Sequence, residues 1–475
     1  VTAVFVTLVA VVAAVGFVAG RRGGKLDSIE EWGLAGRRFG TLITWFLIGG
    51  DAYTAYTLLA VPGLVYGAGA NGFFAVVYVT LAYPLFYLVM PRLWEVAKRH
   101  GHVTLADFAQ AHFSSAGLGK AVAFTGILAT VPYIALQLVG IEVAIQALGY
   151  GNSSWPLWAA FGLLVVWDYA SGLRAPASVA VIKDVMVFTV VIAAMAIIPQ
   201  RLGGFAHILA AVPAKMLVLQ PGQYFGFATL ALGSALAILL YPHITTSVLS
   251  ASSQRVVERN AVYLQAYNLV LGLIAALGFM ALAAGVHAGS SNEAVPLLLT
   301  RMMPGWFAGF CLAAIAIGGL VPAAVMAIAA ASLFTRNLLK GRGADAATAK
   351  RISLGLKLAA LAFVLWGRPG FMINFQLLGG IWILQTLPAV LFGLMGWRVR
   401  AGVLIAGWAA GMATGTAMAW WQGMGSLFPV FGWNGYSGLW ALAVNLAVVA
   451  GCGLPTAAGA ASRTAGTAQA QPRLP

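Results

Sequence analysis

Four carboxyl groups fall inside long apolar runs of this sequence: Asp51, Glu142, Asp168 and Asp184. Charge in hydrocarbon is costly, so each must pair, reach water or take part in function. Asp168 lies near the end of its run, close to Arg174, and Asp184 near the start of the next, beside Lys183. Both positions point to a solvated or paired role. Glu142 lies within about two turns of the end of its run, where it either reaches the interface or lines a vestibule. Asp51 differs, because it sits well inside its run, in Gly49-Gly50-Asp51-Ala52-Tyr53-Thr54. Two glycines beside an acid weaken the helical hydrogen-bond ladder, and freed carbonyls become ion ligands. The plainer alternative is a packing pair of glycines with the acid bonded to a neighbour.

Other polar groups interrupt apolar runs without charge. Tyr133 and Gln137 are four residues apart, hence on one helix face, and suit either a bundle interior or interhelical bonding. Tyr241-Pro242-His243 closes another run; Pro242 frees a carbonyl, and a histidine titrates near neutral pH or is simply structural. Asn374, Gln376 and Gln385 belong to a later run, with Gly379-Gly380 just before Gln385. For these amides, bonding between helices and ligand contact fit equally well. No HExxH, CxxC, GxxxxGK[ST] or GxSxG is present, so hydrolytic, redox and nucleotide-driven chemistry has no anchor. The two cysteines, Cys311 and Cys452, lack metal-ligand spacing; neither a disulfide, a metal site nor a cofactor is expected.

The elements that must position these groups follow from composition. Of 475 residues, 61% are hydrophobic and only 8% charged, against about 25% charged in soluble domains. Too few polar groups exist to cover a water-facing surface, so the chain is an all-α polytopic membrane protein in contact with the lipid bilayer. Thirteen segments reach the roughly 20 apolar residues that a spanning helix needs. With the N-terminus outside, 23 of the 27 Lys and Arg fall in inside segments and four outside. That asymmetry favours N-out, C-in in the plasma membrane. It also accounts for the formal charge of +15 without a nucleic-acid partner. No lysine or arginine is expected at mid-membrane, so an anionic substrate would be met by helix N-termini, backbone N–H groups and hydroxyls. Residues 455–475, rich in Ala, Thr, Gly and Pro, read as a disordered tail.

Several stretches resemble the sodium:solute symporters. They are Trp45 to Gly63, Thr104-Leu105-Ala106-Asp107-Phe108, and Tyr169 to Ala175 followed by Asp184. Ala323-Ala324-Val325-Met326 and Leu378-Gly379-Gly380 with Gln385 and Pro388 complete the set. The likeness covers about residues 40–400. Gly50 to Thr57, Val131 to Gln137, Tyr241-Pro242-His243 and Leu333 to Asn337 resemble the bacterial monocarboxylate permease branch in particular.

The resemblance implies a LeuT-like core of two inverted five-helix repeats, 41–199 and 223–396, with a connection at 200–222. Peripheral parts would be 1–40, with the first helix and an inner loop, and two late helices in 397–454. It implies a secondary transporter, not an enzyme, moving small monocarboxylates such as pyruvate, lactate or acetate by alternating access. Tyr53, Thr54, Tyr133, Gln137 and Gln385 are the expected substrate contacts. The family's sodium ligands map onto carbonyls of Gly50, Tyr53 and Ala324 and onto two hydroxyl positions, here Ala327 and Ile328. With both hydroxyls missing, sodium coupling is in doubt, and Asp51 is the expected carrier of a proton instead. A symporter of amino acids or another small polar solute keeps the same fold; a channel is the alternative of another class.

Overall fold

The computed structural model describes residues 1–21, 28–150, 155–169, 172–339, 345–366, 373–453 and 456–457. The side chain of Asp168, residues 170–171 of the Tyr169–Ala175 motif and nearly all of the predicted tail lie outside the described residues.

Helices occupy each of the apolar segments read from the sequence. Among the described residues, eight are long and apolar enough to cross a bilayer alone, or nine with one bent pair. The rest are short or interrupted, and the interruptions matter most. The first broken helix runs Thr41–Ala52, leaves helical geometry at Tyr53 (φ −95°, ψ 85°), and resumes through Tyr56–Ala60 into Val61–Ala68. Its middle stretch winds wide: Val61 N–H bonds Tyr56 O five residues back. Pro62 sits in the first turn of Val61–Ala68, where a missing N–H is best tolerated. The second broken helix runs Tyr224–Ile238, is interrupted over 239–241, and resumes as Pro242–Leu249. Tyr241 is extended (φ −61°, ψ 134°) and Pro242 restarts the helix.

Around these breaks stand three long helices. Gly305–Leu333 is buried almost throughout, and Ala116–Ile145 packs along it. Glycines set the closeness: a Cβ on Gly140 would strike Ala55, and one on Gly319 would lie 3.1 Å from Gln137 O. Arg174–Arg201 packs on both Gly305–Leu333 and Thr41–Ala52.

At one end of the bundle, two sequence motifs meet. Thr104 caps Leu105–His112 in a reciprocal capping box with Asp107. Asp107 also accepts from Arg336 Nε (2.5 Å) and Asn337 Nδ2 (2.8 Å), while Thr104 Oγ1 donates to Asn337 Oδ1 (2.8 Å). Asp107→Ala is expected to lower thermal stability by about 1–2 kcal/mol, since it removes a cap and leaves several part-buried donors without their acceptor. The exposed i,i+4 pair Glu95–Arg99 is the control: Arg99→Ala should shift the melting temperature little. Arg174 pairs with Glu31 (2.5 Å), tying the start of its helix to the short helix Ile29–Leu34.

Candidate transport site

The two breaks face one another across a seam. Asp51, in the last turn before the first break, is 1% exposed, and its Oδ2 accepts from Ser247 Oγ of Pro242–Leu249 at 2.5 Å. A single carboxyl thus bridges the two broken helices. Its Oδ1 has no hydrogen-bond partner among the described residues.

Gln137 and Thr54 supply the bonds the first break needs. The unwound N–H of Ala55 donates to Gln137 Oε1 (3.0 Å), and Tyr56 N–H to Thr54 Oγ1 (3.0 Å). Buried N–H groups left unpaired would cost about 1–3 kcal/mol each, so the break persists because side chains cap it. Gln137 then has an amide nitrogen to spare, since Nε2 is buried without a partner. Tyr133, one turn earlier on the same face, lies beside Thr54. Its ring centroid is 5.4 Å from that of Tyr241 and 5.3 Å from that of His243. Tyr241 OH is occupied, donating to Gln376 O (2.8 Å), whereas His243 Nδ1 is buried and unpartnered. Thr54, Tyr133, Gln137 and His243 therefore form a buried cluster with unsatisfied polar atoms at two points. A narrow cleft lined by Thr104, Pro242, Thr245 and Thr246 runs along the second broken helix from the Asp107 end.

Two of the expected substrate contacts point elsewhere. Tyr53 packs its ring on Tyr267 (4.7 Å) and gives its hydroxyl to Tyr267 O. Gln385 faces the last two helices, Ala401–Trp421 and Ser437–Cys452. Its Nε2 donates to Ile381 O (2.9 Å) and Gly438 O (3.3 Å), and its Oε1 accepts from Asn445 (3.3 Å). Glu142 is 3% exposed and accepts from Gln146 (3.3 Å).

The largest departure from expectation is Lys183. It lies nine residues into Arg174–Arg201, about 14 Å along the helix axis, and its side chain is wholly buried. A lysine therefore stands deep in the bundle, where none was expected. Its Nζ donates to Gly50 O (2.7 Å) and Tyr53 O (2.7 Å), the two carbonyls freed at the first break, and lies 2.8 Å from Asp184 Oδ1. Asp184 Oδ2 in turn accepts from Tyr267 OH (2.6 Å). Ala327 and Ile328 are fully buried. Ile328 packs near Trp32, and Val325 packs with Leu47 and Ala177. Ser247 and Tyr267 escaped the sequence reading; Lys183 was read only as a neighbour of Asp184 near the start of its run, and the pairing holds while its depth was not foreseen. Ser247 carries only the weak signal of a hydroxyl run, Thr245-Thr246-Ser247.

A model of the sodium:solute symporter family matches residues 32–366. A monocarboxylate transport permease protein of Rhizobium johnstonii is 48% identical, covering 94% of this chain and 95% of its own. The uncharacterized symporter YodF of Bacillus subtilis is 33% identical, covering 94% and 92%. Among solved structures, the substrate-bound outward-open state of a Na+-coupled sialic acid symporter superposes with a TM-score of 0.80. It does so at 14% identity over 96% of this chain and 98% of that one.

Proposed function

The chain belongs to the sodium:solute symporter family, a multi-pass membrane symporter on the LeuT-like fold, and we propose that its cargo is a small monocarboxylate such as pyruvate, lactate or acetate. One observation carries this reading. Tyr133 shares a buried cluster with two unpartnered polar atoms, Gln137 Nε2 one turn along its own helix and His243 Nδ1 on the ring beside it. Nδ1 donates in one neutral tautomer. A carboxylate with a short apolar tail satisfies both atoms and leaves the aromatic rings in contact with carbon. The likeness to a monocarboxylate permease across nearly the whole chain supports the same substrate class. A longer polar solute would need further donors and acceptors, and Gln385, the expected extra contact, is engaged with other helices.

Coupling is to the proton. Asp184 has Lys183 for a partner; Asp51 has only a neutral hydroxyl. Of two carboxyls near one ammonium, Asp51 is the one whose buried charge lacks a counter-ion, so it gains most from taking a proton. Asp51 is also the bridge between the two broken helices, and a proton there alters the contact that alternating access must make and break. The orientation N-out, C-in places the Asp107–Arg336 network on the cytoplasmic side.

The test is the initial rate of uptake of labelled pyruvate and acetate into proteoliposomes. One arm imposes a pH gradient without sodium, the other a sodium gradient at equal pH, and protein-free vesicles correct for passive entry of the neutral acids. Saturable uptake in the first arm alone is expected. Uptake that never saturates would indicate a channel, and strong competition by amino acids would reassign the cargo.

A further inference from the structure

We propose that Lys183 is a built-in cation: its ammonium permanently fills the cation seat that the first broken helix creates, and so makes this symporter independent of sodium. The inference extends the coupling described above, and its first readout needs no substrate.

The geometry defines a cation seat by ordinary coordination chemistry. Unwinding at Tyr53 turns two carbonyl oxygens, of Gly50 and Tyr53, toward one point, and the Asp184 carboxylate faces the same point from the neighbouring helix. Hard oxygen ligands converging where no water reaches are what an alkali cation needs. Here the point is taken by Lys183 Nζ, at 2.7, 2.7 and 2.8 Å from the three oxygens. An ammonium has three N–H donors and no acceptor, and three acceptors surround it. Two carbonyls accept hydrogen bonds from it, and the carboxylate completes the seat as an ion pair.

Other features fix it in place. Tyr267 OH holds the second oxygen of Asp184 (2.6 Å) and lies across from Gly49. A Cβ on Gly50 would lie 3.1 Å from Nζ, so glycine keeps the seat open for the lysine tip. On Gly305–Leu333, Val325 packs with Leu47 and Ala177, and the two positions where the family resemblance maps sodium-ligating hydroxyls, Ala327 and Ile328, carry no side-chain oxygen. A free ion at this point would have fewer ligands than it prefers; a tethered ammonium needs fewer and is held by two carbonyls and an ion pair. Lys183 is therefore a positioning residue that holds the break in shape and sets ion choice.

The experiment measures melting of the detergent-solubilised full chain in NaCl and in choline chloride at matched ionic strength. It compares wild type, Lys183→Ser, and Lys183→Ser combined with Ala327→Ser and Ile328→Thr. Wild type is expected to melt at one temperature in both salts. The Lys183→Ser proteins lose stability in choline and regain about 2 °C or more specifically in sodium, most in the triple variant. In the proteoliposome assay the triple variant acquires sodium-stimulated uptake, which a merely structural lysine would not produce. A sodium-specific stabilisation of wild type overturns the proposal without recourse to any variant. So does a folded triple variant blind to sodium. Because melting reports on the seat alone, a wrong substrate assignment would show as absent pyruvate uptake beside an intact salt response.

Discussion

Asp51→Asn is expected to abolish concentrative uptake, reducing the proton-driven initial rate at least about tenfold, while leaving insertion and folding intact. Asparagine is nearly the same size and its Oδ1 still accepts from Ser247, so the bridge between the broken helices survives. What disappears is the ability to change charge. A tenfold loss corresponds to about 1.4 kcal/mol, a modest demand on a buried carboxyl with no cation of its own. The checks are uptake under an imposed pH gradient and exchange of labelled for unlabelled substrate at equal pH. Exchange needs no net proton movement and should persist. Normal accumulation by the Asn variant would remove Asp51 from the coupling step.

Gly49→Val should be the most damaging single change in the first broken helix, at about 3 kcal/mol or more. A side chain at 49 runs into the ring of Tyr267, which is fully buried and cannot swing away. Moving Tyr267 releases Asp184, and Asp184 is the carboxylate that balances Lys183. Breaking a buried pair by disturbing one partner typically costs about 3–5 kcal/mol. Loss of the folded fraction in size-exclusion chromatography, together with a lowered melting temperature, is the expected result. Gly162→Val in Trp155–Tyr169 is the matched control, for nothing lies within 4 Å of a Cβ there.

How far the sequence alone carried depends on which interaction set each feature. Membrane architecture was plain from composition, because hydrocarbon leaves few options for backbone groups. The first break was legible at Gly49-Gly50-Asp51, where three poor helix formers stand together. The second was marked by Pro242. Gln137 was found for its polarity on an apolar face, but not its job, since capping Ala55 N–H depends on a contact 82 residues away. Gln385 has the same local signal and a different partner set, which no spacing rule distinguishes. Lys183 illustrates the main difficulty. A long flexible side chain near the edge of an apolar run normally snorkels toward water. Only the tertiary arrangement, with two freed carbonyls and a carboxylate within reach, makes the inward direction the better one. Ser247 and Tyr267 were missed for a related reason: a hydroxyl becomes informative only once its acceptor is known.

The engagement of Gln385 with the last two helices has a mechanical consequence. Asn445 grips Gln385, Tyr436 OH bonds Leu377 O (2.6 Å), and Trp382 Nε1 bonds Thr416 Oγ1 (3.0 Å). Trp408 Nε1 reaches across to Thr125 Oγ1 (2.8 Å) on Ala116–Ile145. The pair of late helices is therefore a splint, lashed to the Ile373–Thr386 stretch along one side and packed on Ala116–Ile145 on the other, where the Trp408–Thr125 bond ties it. At the turn joining the pair, Trp420, Trp421, Phe431 and Trp433 are all well exposed, the kind of aromatic collar that settles at a membrane–water boundary. A splint anchored in the headgroups at its aromatic end can swing but not slide. The Trp408–Thr125 bond is then the polar tie between this splint and the helix that carries Tyr133 and Gln137.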